Sequence, residues 1–183
     1  LNPGTTYYVR AYATSSAGTS YGNEINFTTT AILPTLSTIA VTSITSISAA
    51  GGGTITNDGG SAVIVRGVCW STSPGPTTGN NKTTDGPGSG AYTSEMTSLS
   101  SNTLYYVRAY ATNGIGTNYG NEITFTSLPI LSTTALSGIT TTAATGGGTI
   151  DAGGGASVTS RGVCWSTSAN PTIANSKTTD NTG

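Results

Sequence analysis

Histidine is missing from this chain, and charge is scarce: only 7% of its 183 residues are Asp, Glu, Lys or Arg, against a usual ~25%. Without histidine, neither a Ser-His-Asp triad nor a Cys-His pair can be assembled within the chain. Two lysines leave few general bases. Zinc deaminase, metalloprotease and P-loop signatures are absent. Six cationic residues cannot form the basic stripe that neutralises a phosphate backbone, so nucleic acid is not an expected partner. No apolar run approaches the ~20 residues of a membrane-spanning helix. Two cysteines are too few for a disulfide framework. The chain starts without an initiator methionine or signal peptide, which reads as a processed or excised segment.

What remains is Thr, Ser, Asn and 26 Gly, with nine Tyr and two Trp. Threonine is β-branched and suits a pleated surface, while Gly, Asn and Ser suit turns. Disorder would require high net charge and few aromatics, whereas this chain carries a net charge of −1 and regular apolar alternation. The composition predicts an all-β fold with many turns.

The chain repeats itself. The stretch TYYVRAYATSSAGTSYGNEINFT at 6–28 returns as LYYVRAYATNGIGTNYGNEITFT at 104–126, an offset of 98. GGGTI at 51–55 returns at 146–150, and RGVCWSTS at 66–73 returns at 161–168, both at an offset of 95. Such self-similarity marks an array of equivalent units, each large enough to be a domain. One unit is complete, over 35–127. Residues 1–30 correspond to the C-terminal part of a second, and 131–183 to the N-terminal part of a third. Only the stretch matching 89–98 has no copy.

In the complete unit seven strands are expected, over 36–42, 46–56, 62–72, 80–85, 90–97, 103–113 and 118–126, with turns at TNDGG (56–60) and NGIGTN (113–118). No segment keeps a helical period. Strands at this spacing indicate an antiparallel sandwich. Alternation along 103–111 assigns Thr103, Tyr105, Val107, Ala109 and Ala111 to the core, and Leu104, Tyr106, Arg108 and Tyr110 to solvent. Folding the hairpin about Ile115 sets Arg108 opposite Glu122, and about Ala17 sets Arg10 opposite Glu24. Both are expected as register-setting ion pairs on the exposed face, worth ~0.2–1 kcal/mol each.

LNPGTTYYVRAYA at 1–13 resembles the fibronectin type III signature in its alternating Leu1, Pro3, Thr5, Tyr7 and Val9. The second copy keeps Leu99, Thr103, Tyr105 and Val107, with Ser101 in place of the proline. With RGVCWSTSPGPT and KTTDG, the pattern resembles the fibronectin-type-III-like repeats of long surface proteins from Bacteroidota-type bacteria. The resemblance implies an immunoglobulin-like sandwich in which Tyr7 and Tyr105 form tyrosine corners. It also departs from that family: the second strand, TSISAAGGGTI, has no tryptophan, and Trp70 and Trp165 lie on the third strand instead, as in immunoglobulin domains. Both are expected in the core.

The remaining candidates each carry a plainer reading. Cys69 and Cys164 are equivalent residues of different units; they read as buried, inert thiols, or as the site of an intermolecular disulfide locking a fibre. Asp58, Asp85, Asp151 and Asp180 lie beside Gly or Asn and read as turn formers, since calcium needs a denser oxygen cluster. Asn26 and Asn81 head N-x-T triplets, a short and frequent pattern. Tyr8, Tyr12, Tyr106 and Tyr110 form either a surface contact strip or ordinary strand surface. No metal or cofactor is expected.

Two functional classes follow. The first is a non-catalytic structural segment of an extracellular filament or cell-surface stalk. Its short linkers carry Pro34 and Pro129, and its partners are copies of itself, residues 131–183 of one chain being completed by 1–30 of the next. In a variant of this reading the ends mark only where a longer repetitive polypeptide was cut. The alternative is a carbohydrate- or protein-binding adhesin module of a large secreted protein, with surface glycans as partners.

Overall fold

The computed structural model describes residues 1–151 and 157–180, so positions 152–156 and 181–183 of the segment expected over 131–183 lie outside the described residues. Every regular element among them is a strand. The first stretch forms two hairpin-like pairs: β1 (Thr6–Val9) with β4 (Ile25–Thr28), and β2 (Tyr12–Ser15) with β3 (Gly18–Tyr21).

Eight strands follow in the complete repeat: β5 (Thr35–Thr38), β6 (Ala49–Asn57), β7 (Val65–Ser71), β8 (Asn81–Lys82), β9 (Gly90–Met96), β10 (Leu104–Thr112), β11 (Thr117–Tyr119) and β12 (Ile123–Thr126). β5, β6 and β9 make one sheet, in the order β5-β6-β9. The other runs β11-β10-β7-β8, with β12 also pairing β10. The fold is therefore an all-β, immunoglobulin-like sandwich, its sheets meeting through the alternate inward side chains of each strand. The strand expected over 118–126 is interrupted at Gly120–Glu122. There Asn121 turns to Thr38 of the opposite sheet, accepting from its N–H (3.1 Å) and its hydroxyl (2.5 Å).

The core follows the alternation. Ile55, Val63, Tyr92, Ala109 and Ala111 pack together with Leu36 against them. Val68, Trp70, Met96 and Val107 are also buried. Burying each large apolar side chain contributes ~1.5–3 kcal/mol. Close approach of β6 and β9 explains the glycine run: a Cβ on Gly52 would lie 2.1 Å from the Tyr92 carbonyl oxygen. The Tyr92 hydroxyl crosses the core to donate to the Gly67 carbonyl at 2.8 Å, so its polar end is satisfied.

The chain gathers into two compact units. One comprises Leu1–Thr42, Ala50–Met96 and Tyr106–Thr124, and holds the first four strands and the core just described. The other comprises Ser43–Ala49, Thr97–Tyr105 and Phe125–Gly183. It contains β13 (Ile130–Thr133) paired with β14 (Gly148–Asp151), and β15 (Cys164–Trp165) paired with β16 (Ser176–Lys177). Within it, Leu99 N–H donates to Ile47 O and Leu128 N–H to Thr45 O.

Candidate functional site

Repetition lets each expected residue be compared with its own copy. The Tyr105 hydroxyl accepts from Ser100 N–H at 2.8 Å, and its ring stacks on Phe125 with centroids 5.6 Å apart. The Tyr7 hydroxyl accepts from Asn2 N–H at 2.6 Å, with Phe27 at 5.8 Å. Thr103 N–H donates to Ser127 Oγ and Thr5 N–H to Thr29 Oγ1, both at 2.9 Å. These contacts span at most one hairpin, and both copies make them.

The expected ion pairs do not form as drawn. Arg108 Nε donates to the Gly120 carbonyl (3.1 Å), and the guanidinium lies 4.6 Å from the centre of the Tyr119 ring. Glu122 instead accepts from Gly75 N–H at 2.5 Å, across the loop after β7. Arg10 repeats the arrangement with Gly22 O (3.0 Å) and Tyr21 (4.9 Å), leaving Glu24 exposed. The reason is register. Tyr110 pairs with Tyr119 and Tyr12 with Tyr21, so the aromatic ring, not the carboxylate, is the arginine's nearest neighbour on that face.

Two further corrections concern burial. Tyr110, expected on the surface, is buried and donates to Thr83 O at 2.6 Å, because the chain after β8 covers it; burial raises its pKa. Trp165, expected in the core, is 53% exposed, whereas Trp70 is 7% exposed. Trp70 pairs with Val107 on β10, and β15 has no such strand beside it among the described residues. Tyr8 and Tyr12 are exposed and Tyr106 is half-buried, so the four tyrosines do not form one strip.

The thiols differ too. Cys69 is buried under the loop after β7, its Sγ donating to Pro76 O and Arg108 O, each at 3.4 Å; burial pushes its pKa up to about 11. Cys164 is half-buried, with Sγ donating to Pro171 O at 3.5 Å. Asp58 caps its turn, accepting from Gly60 N–H. Asp85 does more than form a turn: its carboxylate accepts from the hydroxyls of Thr83 and Ser94, tying β9 to the irregular segment after β8. Nearby, Arg66 donates to Gly88 O and Ser89 O and lies on the Tyr92 ring. Asn26 and Asn81 are exposed, on β4 and β8.

Sequence reasoning missed the groups that hold the first linker. Asn113 is 3% exposed. Its Nδ2 donates to Ile32 O (2.7 Å) and Asp58 O (2.8 Å), while its Oδ1 accepts from Ile115 N–H. Asn118 Nδ2 donates to Pro34 O at 2.8 Å, and Ile32 N–H donates to Gly59 O at 2.9 Å. The linker is thereby bound to the two turns of the repeat that follows it. An asparagine in a glycine-rich turn signals the turn alone, not the carbonyls it reaches.

Among the described residues, no three His, Cys, Asp or Glu side chains come together in a way that could hold a metal ion. No helix there is long and apolar enough to cross a membrane.

A scan against known protein families finds no match, and a search of curated proteins finds none. Among solved structures the chain is similar to the FN1–FN3 domains of chicken CNTN1, at 16% identity and a TM-score of 0.42. The likeness covers 70% of this chain and 44% of that one.

Proposed function

We propose that this chain is a non-catalytic structural segment of an extracellular filament or cell-surface stalk, built from β-sandwiches repeated head to tail. One observation carries the reading: the repeats share their sequence, and local hydrogen bonds and ring contacts of the complete unit recur in the partial ones at nearly the same distances. Duplicated architecture is what an array needs, whereas a specific recognition site would differ between its units. The linker bound through Asn113 and Asn118 supports a semi-rigid connection between successive units.

Electron microscopy of the native material tests this. Threads of regularly spaced sandwich units are the expected result, and a uniform compact particle would overturn it. Peptide mapping of the same material then shows whether the units belong to one long polypeptide or to separate chains of ~18 kDa.

A further inference from the structure

Resting on the array reading, we infer that the turns 57–61 and 113–118 of the complete repeat are a docking surface for the repeat before it. They seat that repeat's Pro3–Gly4 turn and the linker 29–34 in one arrangement. Neighbouring repeats then meet at a fixed joint, which opens as a unit while the core behind it stays closed. All the parts involved belong to one compact unit.

The joint is built backbone on backbone. Gly4 and Gly60 each stand in a turn with positive φ, +61° and +75°. A Cβ on Gly60 would overlap the Pro3 carbonyl, and one on Gly4 would overlap the Gly60 carbonyl. Only glycine lets two turns touch this closely. The receiving turn is preset by its own side chains, since Gly59 N–H donates to Asn57 Oδ1 and Gly60 N–H to Asp58 Oδ1. The linker is held from both sides. Thr29 belongs to the preceding repeat: its N–H donates to Thr5 O at 3.0 Å, and its Oγ1 accepts from Thr5 N–H at 2.9 Å. Three residues on, Ile32 belongs to the following one: its N–H donates to Gly59 O, and its carbonyl accepts from Asn113 Nδ2.

Asn113 selects the docked arrangement. Its Nδ2 donates to Ile32 O and Asp58 O, and its Oδ1 accepts from Ile115 N–H and Gly116 N–H. Two donors and two acceptors are the full capacity of an amide. Undocking the linker would leave one of those donors unpaired on a buried side chain, which opposes release. Apolar burial contributes less: Pro34 is buried, but Ile32 and Leu33 are 50% and 38% exposed. Hydrogen bonds at a partly exposed rim give the joint a defined geometry without a core of its own. It therefore opens more easily than the sandwich.

Amide exchange and nitrogen-15 relaxation on the full chain test this. The Ile32 amide should exchange at least ~100-fold slower than in an unstructured peptide, yet faster than the Ala109 amide, which donates to Thr38 Oγ1 inside the core. Residues 6–28 should tumble with the complete repeat as one body. Gly60→Ala should speed Ile32 exchange at least ~tenfold and shorten the tumbling time of 6–28. Gly86→Ala is the matched control: its φ is +77° and a Cβ there meets open space, so it adds similar backbone strain away from the joint and should change neither reading. Should Gly60→Ala fail to fold, Asn113→Ser keeps a turn-forming oxygen, as its counterpart Ser15 does, but cannot reach Ile32 O. It should raise Ile32 exchange by a similar factor and leave Ala109 unchanged. The inference is overturned if Ile32 exchanges like a peptide, if 6–28 tumbles independently in the unsubstituted chain, if Gly60→Ala matches Gly86→Ala, or if Asn113→Ser leaves Ile32 exchange unaltered. A loose joint of that kind would leave the array reading standing, whereas a uniform compact particle in the native material would remove that reading whatever the exchange rates.

Discussion

The segment RGVCWSTS occurs twice, and its two tryptophans have opposite fates: Trp70 is buried and Trp165 lies half in solvent. The same division separates the two copies of YYVRAYA, since Val107 is buried and Val9 is not. Yet the local contacts are copied closely. Lys82 Nζ donates to Thr78 O at 2.9 Å and Lys177 Nζ to Ile173 O at 3.0 Å; Val68 N–H donates to Thr83 Oγ1 at 3.0 Å and Val163 N–H to Thr178 Oγ1 at 2.9 Å. Hairpins and turns thus follow from a few consecutive residues, whereas the core needs strands far apart in sequence. The complete repeat brings β7, β9 and β10 together, and among the described residues the partial segments form only two-stranded pairs.

The sharpest way to break this comparison is to truncate both tryptophans. Trp70→Ala should lower unfolding stability by ~3–5 kcal/mol, through lost burial and the cavity left behind. In dilute, monomeric chains Trp165→Ala should change it by less than ~0.5 kcal/mol. Urea unfolding of each variant measures both, and equal losses would mean that the third segment has a closed core of its own. The next contrast is between glycines. A Cβ on Gly52 meets the Tyr92 backbone at 2.1 Å, while on its counterpart Gly147 it meets only Thr134 Oγ1 at 3.2 Å. Gly52→Ala should therefore cost at least ~1–3 kcal/mol by overpacking, and Gly147→Ala much less, in the same unfolding assay.

How much of this could be read from the sequence follows the same line. The strand positions and the inward face of β10 were legible because period-two alternation encodes them directly. Tyr110 was misjudged, although it lies on the outward face as alternation requires, because the chain after β8 folds over that face and no local pattern announces it. The ion pairs failed for a similar reason: counting across a hairpin brought Arg108 to Glu122, whereas the register of β10 with β11 brings Tyr119 beside it. Asn113 and Thr38 bond across 81 to 83 residues of sequence, a separation at which a single chain carries no readable signal.

The thiols extend the comparison to pH. Burial raises Cys69 from its ordinary 9.0 to about 11. The folded chain then keeps a proton that the unfolded chain has lost, so the associated stability is complete below pH ~9 and declines as pH rises towards 11. Tyr92, raised mainly by burial and then by Asp85, continues that decline at higher pH. Unfolding midpoints from pH 8 to 11 should fall accordingly, and Cys69→Ser should remove the first part of the fall. At pH 8 a thiol reagent should modify Cys164 well before Cys69, and the two equally in denaturant.

The smallest effect is the one in which the two copies should agree. Arg108 over Tyr119 and Arg10 over Tyr21 are local contacts with nearly equal geometry, 4.6 and 4.9 Å, and each shares its hairpin with a backbone bond, Gly120 N–H to Ala109 O and Gly22 N–H to Ala11 O, both 2.9 Å. A partly exposed cation–aromatic contact contributes ~0.5–1 kcal/mol. Replacing either arginine with methionine should therefore speed amide exchange at the matching glycine, Gly120 or Gly22, by about two- to fivefold. The two increases should be alike although one hairpin belongs to a closed sandwich and the other does not. A large increase confined to Gly120 would show that the hairpin draws its order from the core behind it, and that the local contacts copied between repeats are a consequence of the sandwich and not its starting material.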